Sequence, residues 1–240
     1  MQCGPSVRLR IKPQKGDRMK LKNNENLVVL GLFLGATGLL SALVLAVFSG
    51  LTAEPIAKAE MRRENQALLQ VLPAFDNNIN EKKLKIKTPA GWDVTLRAAK
   101  KDGRLCGYAA DCINPRGYAG NIRMLAGLTP DGKIRALLIT EQKETPGLGA
   151  EVCKREFRKT IFNLTSPVPE GLPPNVYLDH YNNKTVPAGG WKIQKDGGDA
   201  PFVTGATVTS RAIAHSASEI ALAFQKHQRE ITAAFTGGVK

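Results

Sequence analysis

The chain has few of the residues that usually hold metals. Its 240 residues include four cysteines and three histidines. No two cysteines form a CxxC pair, and His180, His215 and His227 complete no zinc or iron–sulfur spacing. We therefore predict that no metal is bound by protein ligands. Cys106 and Cys112 either pair in an oxidising compartment or remain buried free thiols, and the sequence leaves both possibilities open.

The chain also lacks the motifs that would explain its basic charge by nucleic-acid binding. The formal net charge is +13, and residues 1–26 carry seven basic side chains against two acidic ones. No helix-turn-helix, zinc-finger or RNA-binding signature accompanies this charge. Because the basic segment lies directly beside an apolar run, membrane topology is the simpler explanation, and we predict no nucleic-acid partner.

A long apolar run follows the basic segment. Leu27–Phe48 contains no charged residue, and at about 1.5 Å per residue it spans the roughly 30 Å hydrocarbon core of a bilayer. The apolar region of a cleaved signal peptide is usually shorter. We therefore predict a single membrane-spanning helix over residues 27–50. The positive-inside rule places residues 1–26 in the cytoplasm and the rest of the chain outside it.

Residues 51–92 are predicted to form a stalk helix and a linker. Apolar residues recur at helical spacing from Ala53 to Leu72, and Pro73 ends the pattern. Residues 76–92 are polar apart from a short stretch, Leu84–Thr88, that favours a strand.

Residues 93–240 are predicted to form one α+β domain, in which an antiparallel sheet is flanked by helices. Turn residues at Thr129–Lys133 separate two apolar runs and indicate a hairpin. The strand patterns are Val94–Leu96, Leu105–Ala110, Ile122–Leu128 and Ile134–Thr140. Helical patterns follow at Glu151–Phe157 and Arg211–Phe235, with a predicted surface loop over 163–184 and a strand pair at Val186 and Trp191–Ile193.

The segment Thr204-Gly-Ala-Thr207 stands just before the last predicted helix. Thr209 or Ser210 is the predicted N-cap, because a hydroxyl there can accept a hydrogen bond from a first-turn N–H. The free N–H groups and the positive end of the helix dipole favour a phosphate at such a position. For this short segment alone, ordinary helix capping is the better explanation of the composition.

Four segments in order carry a more specific signal. They are Gly117–Gly120 (GYAG), Asp131–Ile134 (DGKI), Glu144–Gly149 (ETPGLG) and Thr204–Thr207 (TGAT). Together they resemble the motifs of the RnfG/NqrC family of membrane-bound FMN proteins, and the similarity covers roughly residues 93–215. In that family FMN is esterified through its phosphate to the last threonine of the TGAT motif. Asp199 stands further upstream of that threonine than the acidic residue in the tightest form of the motif.

The resemblance implies a covalent FMN on Thr207, with Thr204, Gly205 and Ala206 beside it. Thr207 would accept the cofactor during maturation, so no catalytic residue is expected. We predict that the wall beside the flavin ring is formed by Glu144, Thr145, Leu148 and Gly149. His215 is predicted to be a surface or packing residue rather than an acid–base group. Trp191 is predicted to be a core residue, with stacking on the flavin as the alternative.

The resemblance further implies an electron-relay subunit of an Rnf-type complex, which couples electron flow between ferredoxin and NAD to ion movement. Its expected partners are the other membrane and peripheral subunits and, during maturation, a flavin transferase. The expected location is the inner (cytoplasmic) membrane, with the flavin domain on the periplasmic, extracytoplasmic side. The alternatives are an NqrC-type subunit of a sodium-pumping NADH:quinone reductase and a cofactor-free anchored scaffold domain.

Overall fold

The structure, a computed structural model, describes residues 24–157 and 171–236. The helices are α1 (Asn24–Val71), α2 (Gly149–Cys153), α3 (Val176–Asp179) and α4 (Thr207–Thr236), with a 3₁₀ turn at Gln194–Asp196. The strands are β1 (Lys83–Lys87), β2 (Asp93–Lys101), β3 (Arg104–Asn114), β4 (Ile122–Leu128) and β5 (Ile134–Glu141). The chain divides into two compact units, one ending at Lys58 and one beginning at Ala59.

The first unit contains the apolar part of α1. The large side chains between Leu27 and Phe48 are exposed to the surroundings rather than packed against protein. By length and composition, α1 is the one helix in the described part of the chain that could cross a membrane. The two predicted helices, 27–50 and Ala53–Leu72, form one continuous helix that contains Pro55.

The second unit is built on a five-stranded sheet in the order β1-β2-β3-β4-β5, with every neighbouring pair antiparallel. This arrangement confirms the predicted antiparallel sheet with flanking helices. The predicted linker strand is β1, in which Ile86 is the register partner of Val94. The predicted domain boundary at residue 93 separates β1 from its partner β2, whereas the compact unit begins at Ala59.

Each face of the sheet is covered by a different helix. Tyr108 and Met124 are buried under α4, where the Tyr108 ring lies 5.2 Å from that of Phe224. On the other face, Ala109 and Leu125 pack against the C-terminal end of α1. Side chains alternate between the faces of a strand, so β3 contributes to both clusters.

The two candidate disulfide partners lie on opposite sides of this sheet. Cys106 packs with the cluster under α1, whereas Cys112 belongs to the cluster under α4. Both are free thiols, as is Cys153. Burial raises the pKa of Cys112 and Cys153 to about 12 in each case. Of the two possibilities left open by the sequence, the structure selects the free thiols.

The predicted strand pair at Val186 and Trp191–Ile193 is wrong. The Trp191 N–H donates to Ser218 Oγ (2.7 Å) on α4 instead of pairing with a strand, and Ile193 forms only an isolated parallel bridge with Ala200. A side-chain hydroxyl of α4 takes the place of a sheet partner.

Two further predictions differ in extent. Part of the predicted loop over 163–184 is α3, whose first N–H groups are capped by the Asn175 side chain; residues 163–170 lie outside the described ranges. The helix predicted at Glu151–Phe157 is the shorter α2, Gly149–Cys153. After α2 ends, Arg155 Nε donates a hydrogen bond to the Leu137 carbonyl oxygen (2.8 Å). This bond holds the segment after α2 against β5, the edge strand of the sheet.

Candidate functional site

Two of the four motif segments meet the start of α4 at one buried carboxylate. Glu144 is 4% exposed. One of its oxygens accepts a hydrogen bond from Thr209 Oγ1 (2.5 Å), and the other accepts one from the Ala119 N–H (3.1 Å). These bonds join the ETPGLG segment to the GYAG loop on one side and to α4 on the other. Both carboxylate oxygens are therefore engaged by protein groups.

Two motif glycines allow this convergence because a side chain would not fit. A Cβ at Gly149 would lie 2.6 Å from Thr209 Oγ1 and 2.7 Å from Glu144 Oε2. A Cβ at Gly117 would lie 2.8 Å from Glu144 Oε1 and 2.2 Å from the Gly120 carbonyl oxygen. Distances under 3.0 Å are too short for real Cβ contacts. The glycines in GYAG and ETPGLG thus let three chain segments approach one carboxylate.

The start of α4 differs from the prediction. The helix begins at Thr207, and neither predicted N-cap residue caps it, because Thr209 donates to Glu144 and Ser210 Oγ donates to the Ala206 carbonyl (2.9 Å). The cap position falls to Ala206, whose carbonyl accepts the first helical bond from the Ser210 N–H. Alanine has no side chain that can accept from the first turn.

This uncapped helix start leaves hydrogen-bond donors available. Within the described residues, the N–H groups of Thr207, Val208 and Thr209 have no hydrogen-bond partner outside the helix. Unpaired N–H groups at the positive end of a 30-residue helix form an environment that favours a phosphate. Thr207, the first residue of this helix, is half-buried.

The ETPGLG segment borders the TGAT turn directly. Gly205 adopts φ +90°, and a Cβ built there would lie 3.3 Å from Leu148 Cδ2. Leu148 is 42% exposed, and Thr145, Thr204 and Gly205 are exposed as well. Of the predicted site residues, Glu144, Gly149 and Ala206 are buried. The structure therefore brings the predicted residues together but divides them into a buried support and an exposed surface.

A cavity of about 340 Å³, here called the α4 pocket, opens beside the first turns of α4. Val208, Ala212 and His215 of α4 form one side. Trp191 and Ile193 also line it.

Most of the charged residues that line the α4 pocket are basic. Arg116, Lys192 and Arg211 line it together with a single acidic residue, Asp196. Arg211 donates from Nε and Nη2 to the two carboxylate oxygens of Asp196, each at 2.6 Å. This hydrogen-bonded pair raises the pKa of Arg211 and lowers that of Asp196.

The aromatic residues around the pocket have packing roles. The Trp191 ring is 6% exposed and meets Tyr181 edge-on at 5.2 Å, as expected for a core residue. The His215 ring lies 5.0 Å from that of Trp92, and the Arg116 guanidinium lies 5.7 Å from the same indole. Burial, reinforced by Arg116 and opposed by Glu219, lowers the pKa of His215.

Asp199, the upstream acidic residue, is engaged away from the TGAT turn. Its carboxylate lies 3.3 Å from His180 Nε2 and 3.6 Å from Lys184 Nζ, and its side chain is 69% exposed.

Sequence reasoning missed the α4 pocket. Arg211 lies one helical turn after Thr207 and is close to it in sequence. Arg116 and Trp92 come from distant segments, and no local sequence pattern indicates that these two residues lie near His215. Within the described ranges, no group of three or more His, Cys, Asp and Glu side chains is arranged to hold a metal ion.

Comparisons with known proteins agree with these motifs. A family model described as an FMN-binding domain matches residues 117–221. The G subunit of the ion-translocating oxidoreductase complex of Haemophilus influenzae strain PittEE is 32% identical over 202 residues, covering 82% of this chain and 90% of the relative. The protein of the same name from Cereibacter sphaeroides is 31% identical over 228 residues, covering 92% and 94%. That from Salmonella typhi is 30% identical over 203 residues, covering 81% and 87%.

Proposed function

The chain belongs to the family of G subunits of ion-translocating oxidoreductase complexes, and we propose that it relays electrons in an Rnf-type complex through FMN esterified to Thr207. FMN can pass one or two electrons, and the protein's task is to hold it and tune its electronics. The NqrC-type alternative has less support, because the three relatives described above are all named as G subunits.

The observation that carries this proposal is the uncapped start of α4. Thr207 is the first residue of the helix, and the N–H groups of Thr207, Val208 and Thr209 are free of partners outside the helix in the described part of the chain. A phosphoester on the Thr207 hydroxyl would keep the phosphate beside these donors and the positive helix end. The position of Thr207 at the start of α4 and its hydroxyl group are thus both suited to attachment of the FMN phosphate.

The surrounding motif residues have different proposed roles around the flavin. The turn before Thr207 is formed by Thr204, Gly205 and Ala206. Leu148 lies next to Gly205 in this turn. Glu144, Thr145, Leu148 and Gly149 remain the predicted wall beside the ring. Glu144 acts as a positioning residue, because its two oxygens hold Thr209 and Ala119.

The membrane arrangement follows from α1. The apolar span anchors the chain in the inner membrane with residues 1–26 in the cytoplasm, by the excess of basic residues there. The flavin domain then lies on the periplasmic side, where a covalent bond prevents loss of the cofactor. Other subunits would handle ferredoxin, NAD and the ion, and a flavin transferase would attach FMN.

The relay role is tested in membranes that carry the whole complex. We expect Thr207→Ala to abolish electron transfer from ferredoxin to NAD, whereas Thr204→Ala retains most of it. Immunoblotting for this chain and for one other subunit checks that assembly is unchanged. Full activity of Thr207→Ala in assembled complexes would contradict the proposed relay.

A further inference from the structure

Exposed apolar side chains gather around the start of α4. Among the described residues outside α1, the large apolar side chains that are exposed are Ile113, Tyr118, Leu148, Val176 and Val208. Three of them, Tyr118, Leu148 and Val208, belong to the segments that meet at Glu144 and the first turn of α4. An apolar cluster of this kind, bordered by charged residues, is typical of a protein–protein contact surface.

Tyr118 is exposed although the loop that carries it is held tightly. The Ala119 N–H donates to Glu144 (3.1 Å), and a Cβ at Gly117 would lie 2.2 Å from the Gly120 carbonyl oxygen. The backbone on both sides of Tyr118 is therefore fixed by close contacts, whereas Tyr118 itself is 72% exposed. Tyrosine is enriched in protein–protein interfaces and among the residues that contribute most to their binding energy. An exposed tyrosine on a fixed loop thus suits contact with another protein.

The same surface carries positive charge without a partner. Arg116, two residues before Tyr118, lines the α4 pocket together with Lys192 and Val208, and all three are exposed. Within the described ranges, neither Arg116 nor Lys192 forms an ion pair with a carboxylate. The Arg116 guanidinium lies 5.7 Å from the Trp92 indole, a cation–π contact that brings no counter-charge. Two cations therefore lie beside an apolar surface with no acidic side chain to neutralise them.

This combination suits an acidic protein surface better than a small anion. Charges attract most strongly where they are buried away from water, whereas Arg116 and Lys192 are exposed. Residues 59–240 carry twenty-six basic side chains against eighteen acidic ones, so the field of this unit attracts an acidic partner over a longer range. Complementary charges across a protein interface increase the association rate and fix the orientation of the partner.

We propose that Arg116, Tyr118, Lys192 and Val208, here called the docking face, bind an acidic surface of a neighbouring subunit of the complex. This inference rests on the proposed function as a relay subunit. Val208 directly follows Thr207, so a subunit bound to the docking face lies next to the proposed attachment residue. The docking face shares no residue with the predicted wall beside the flavin ring. Tyr118 and Val208 supply the apolar contact, and Arg116 and Lys192 select for negative charge on the partner.

The test is photo-cross-linking in membranes that carry the whole complex. Tyr118 is replaced by the photoreactive amino acid p-benzoylphenylalanine, which keeps an aromatic ring at this exposed position. Val176 is replaced in the same way as the matched control, because it is 74% exposed but lies on α3, which contributes no residue to the α4 pocket. We expect position 118 to cross-link to another subunit at a peptide rich in aspartate and glutamate, identified by mass spectrometry. An equal yield to the same subunit from position 176 would overturn the docking face.

Charge reversal tests the basic residues. We expect Arg116→Glu and Lys192→Glu each to reduce the yield of the cross-link from position 118 several-fold, with the largest loss in the double variant. Lys195→Glu is the control, because Lys195 is a neighbouring exposed lysine that does not line the α4 pocket, and it should reduce the yield least. Immunoblotting checks that each variant chain is present in equal amount. Unchanged yields in both the Arg116 and the Lys192 variant would overturn the proposal.

The identity of the cross-linked species separates the proposed occupant from others. A cross-link to the flavin transferase or to lipid alone, with none to a subunit of the complex, would overturn the proposal. In-gel flavin fluorescence of the same samples separates its failure from failure of the proposed cofactor attachment. A fluorescent band without a subunit cross-link would contradict the docking face alone. A dark band with the subunit cross-link would contradict FMN on Thr207 and support the contact.

Discussion

Thr209 Oγ1 donates a hydrogen bond of 2.5 Å to Glu144 Oε2, and both residues are buried. The bond joins the ETPGLG segment to the first turn of α4, 65 positions further along the chain. The donor in this bond is the Thr209 hydroxyl, which the sequence predicted to cap the helix instead. The first turn of α4 is thereby left open next to Thr207.

Removing the Thr209 hydroxyl should destabilise the domain. In Thr209→Val, a buried carboxylate oxygen loses its partner, which costs about 1–3 kcal/mol of unfolding free energy. Thr204→Val changes an exposed hydroxyl in the adjacent turn and should cost much less. Urea unfolding followed by circular dichroism compares the two variants. Equal unfolding free energies of Thr209→Val and Thr204→Val would show that the hydrogen bond between Thr209 and Glu144 does not stabilise the domain.

Adding a methyl group at Gly149 should also be costly. Its Cβ would lie 2.6 Å from Thr209 Oγ1, and overpacking of a core typically costs about 1–3 kcal/mol. Gly189→Ala is the control, since its Cβ has no atom within 4 Å and its φ is not positive. Thermal unfolding should show a lower midpoint for Gly149→Ala alone. A wild-type midpoint would contradict the close approach of α2 and α4.

The cysteines should differ in reactivity. Burial raises the pKa of Cys112 and Cys153 to about 12, and the thiolate is the reactive form. Of the three cysteines in the described ranges, Cys106 is only partly buried and should react first with iodoacetamide at mildly alkaline pH, and all three should react after denaturation. Peptide mass spectrometry measures each site. A peptide pair linked by Cys106 and Cys112 would contradict their location on opposite faces of the sheet.

His215 should make stability depend on pH. Burial, with Arg116 acting in the same direction and Glu219 opposing it, lowers the His215 pKa in the folded state. The unfolded chain therefore takes up this proton more readily, and stability is lost as pH falls below the ordinary value of 6.5. His215→Gln should reduce the loss of stability between about pH 7.5 and 5.5 in urea unfolding. An undiminished loss of stability in His215→Gln would contradict this account.

Local sequence patterns predicted the strands well because alternation and turn residues are short-range signals. The hairpin turn at Thr129–Lys133 joins β4 and β5 as expected, with a hydrogen bond from the Thr129 N–H to the Lys133 carbonyl. The strand predicted at Leu84–Thr88 is also present, but its membership of the sheet depends on pairing with β2. Polar composition around it gave no sign of that pairing.

The less accurate predictions concern partners distant in sequence. Trp191 looked like part of a strand, yet its N–H is satisfied by Ser218 on α4. Glu144 was predicted from the motif to border the flavin, and no local pattern indicates its protein partners, Thr209 and Ala119. The family motifs indicated segments that the structure brings together, whereas composition alone could not distinguish a buried supporting residue from an exposed one.

The covalent flavin at Thr207 is tested most simply by flavin fluorescence of the denatured full-length protein in a gel, after co-expression with a flavin transferase. We predict a fluorescent band for the wild type and for Thr204→Ala, and a dark band of equal protein content for Thr207→Ala. A Thr207→Ala band that remains fluorescent would contradict attachment at Thr207. A dark wild-type band, with the transferase active on a control substrate, would contradict the covalent flavin altogether.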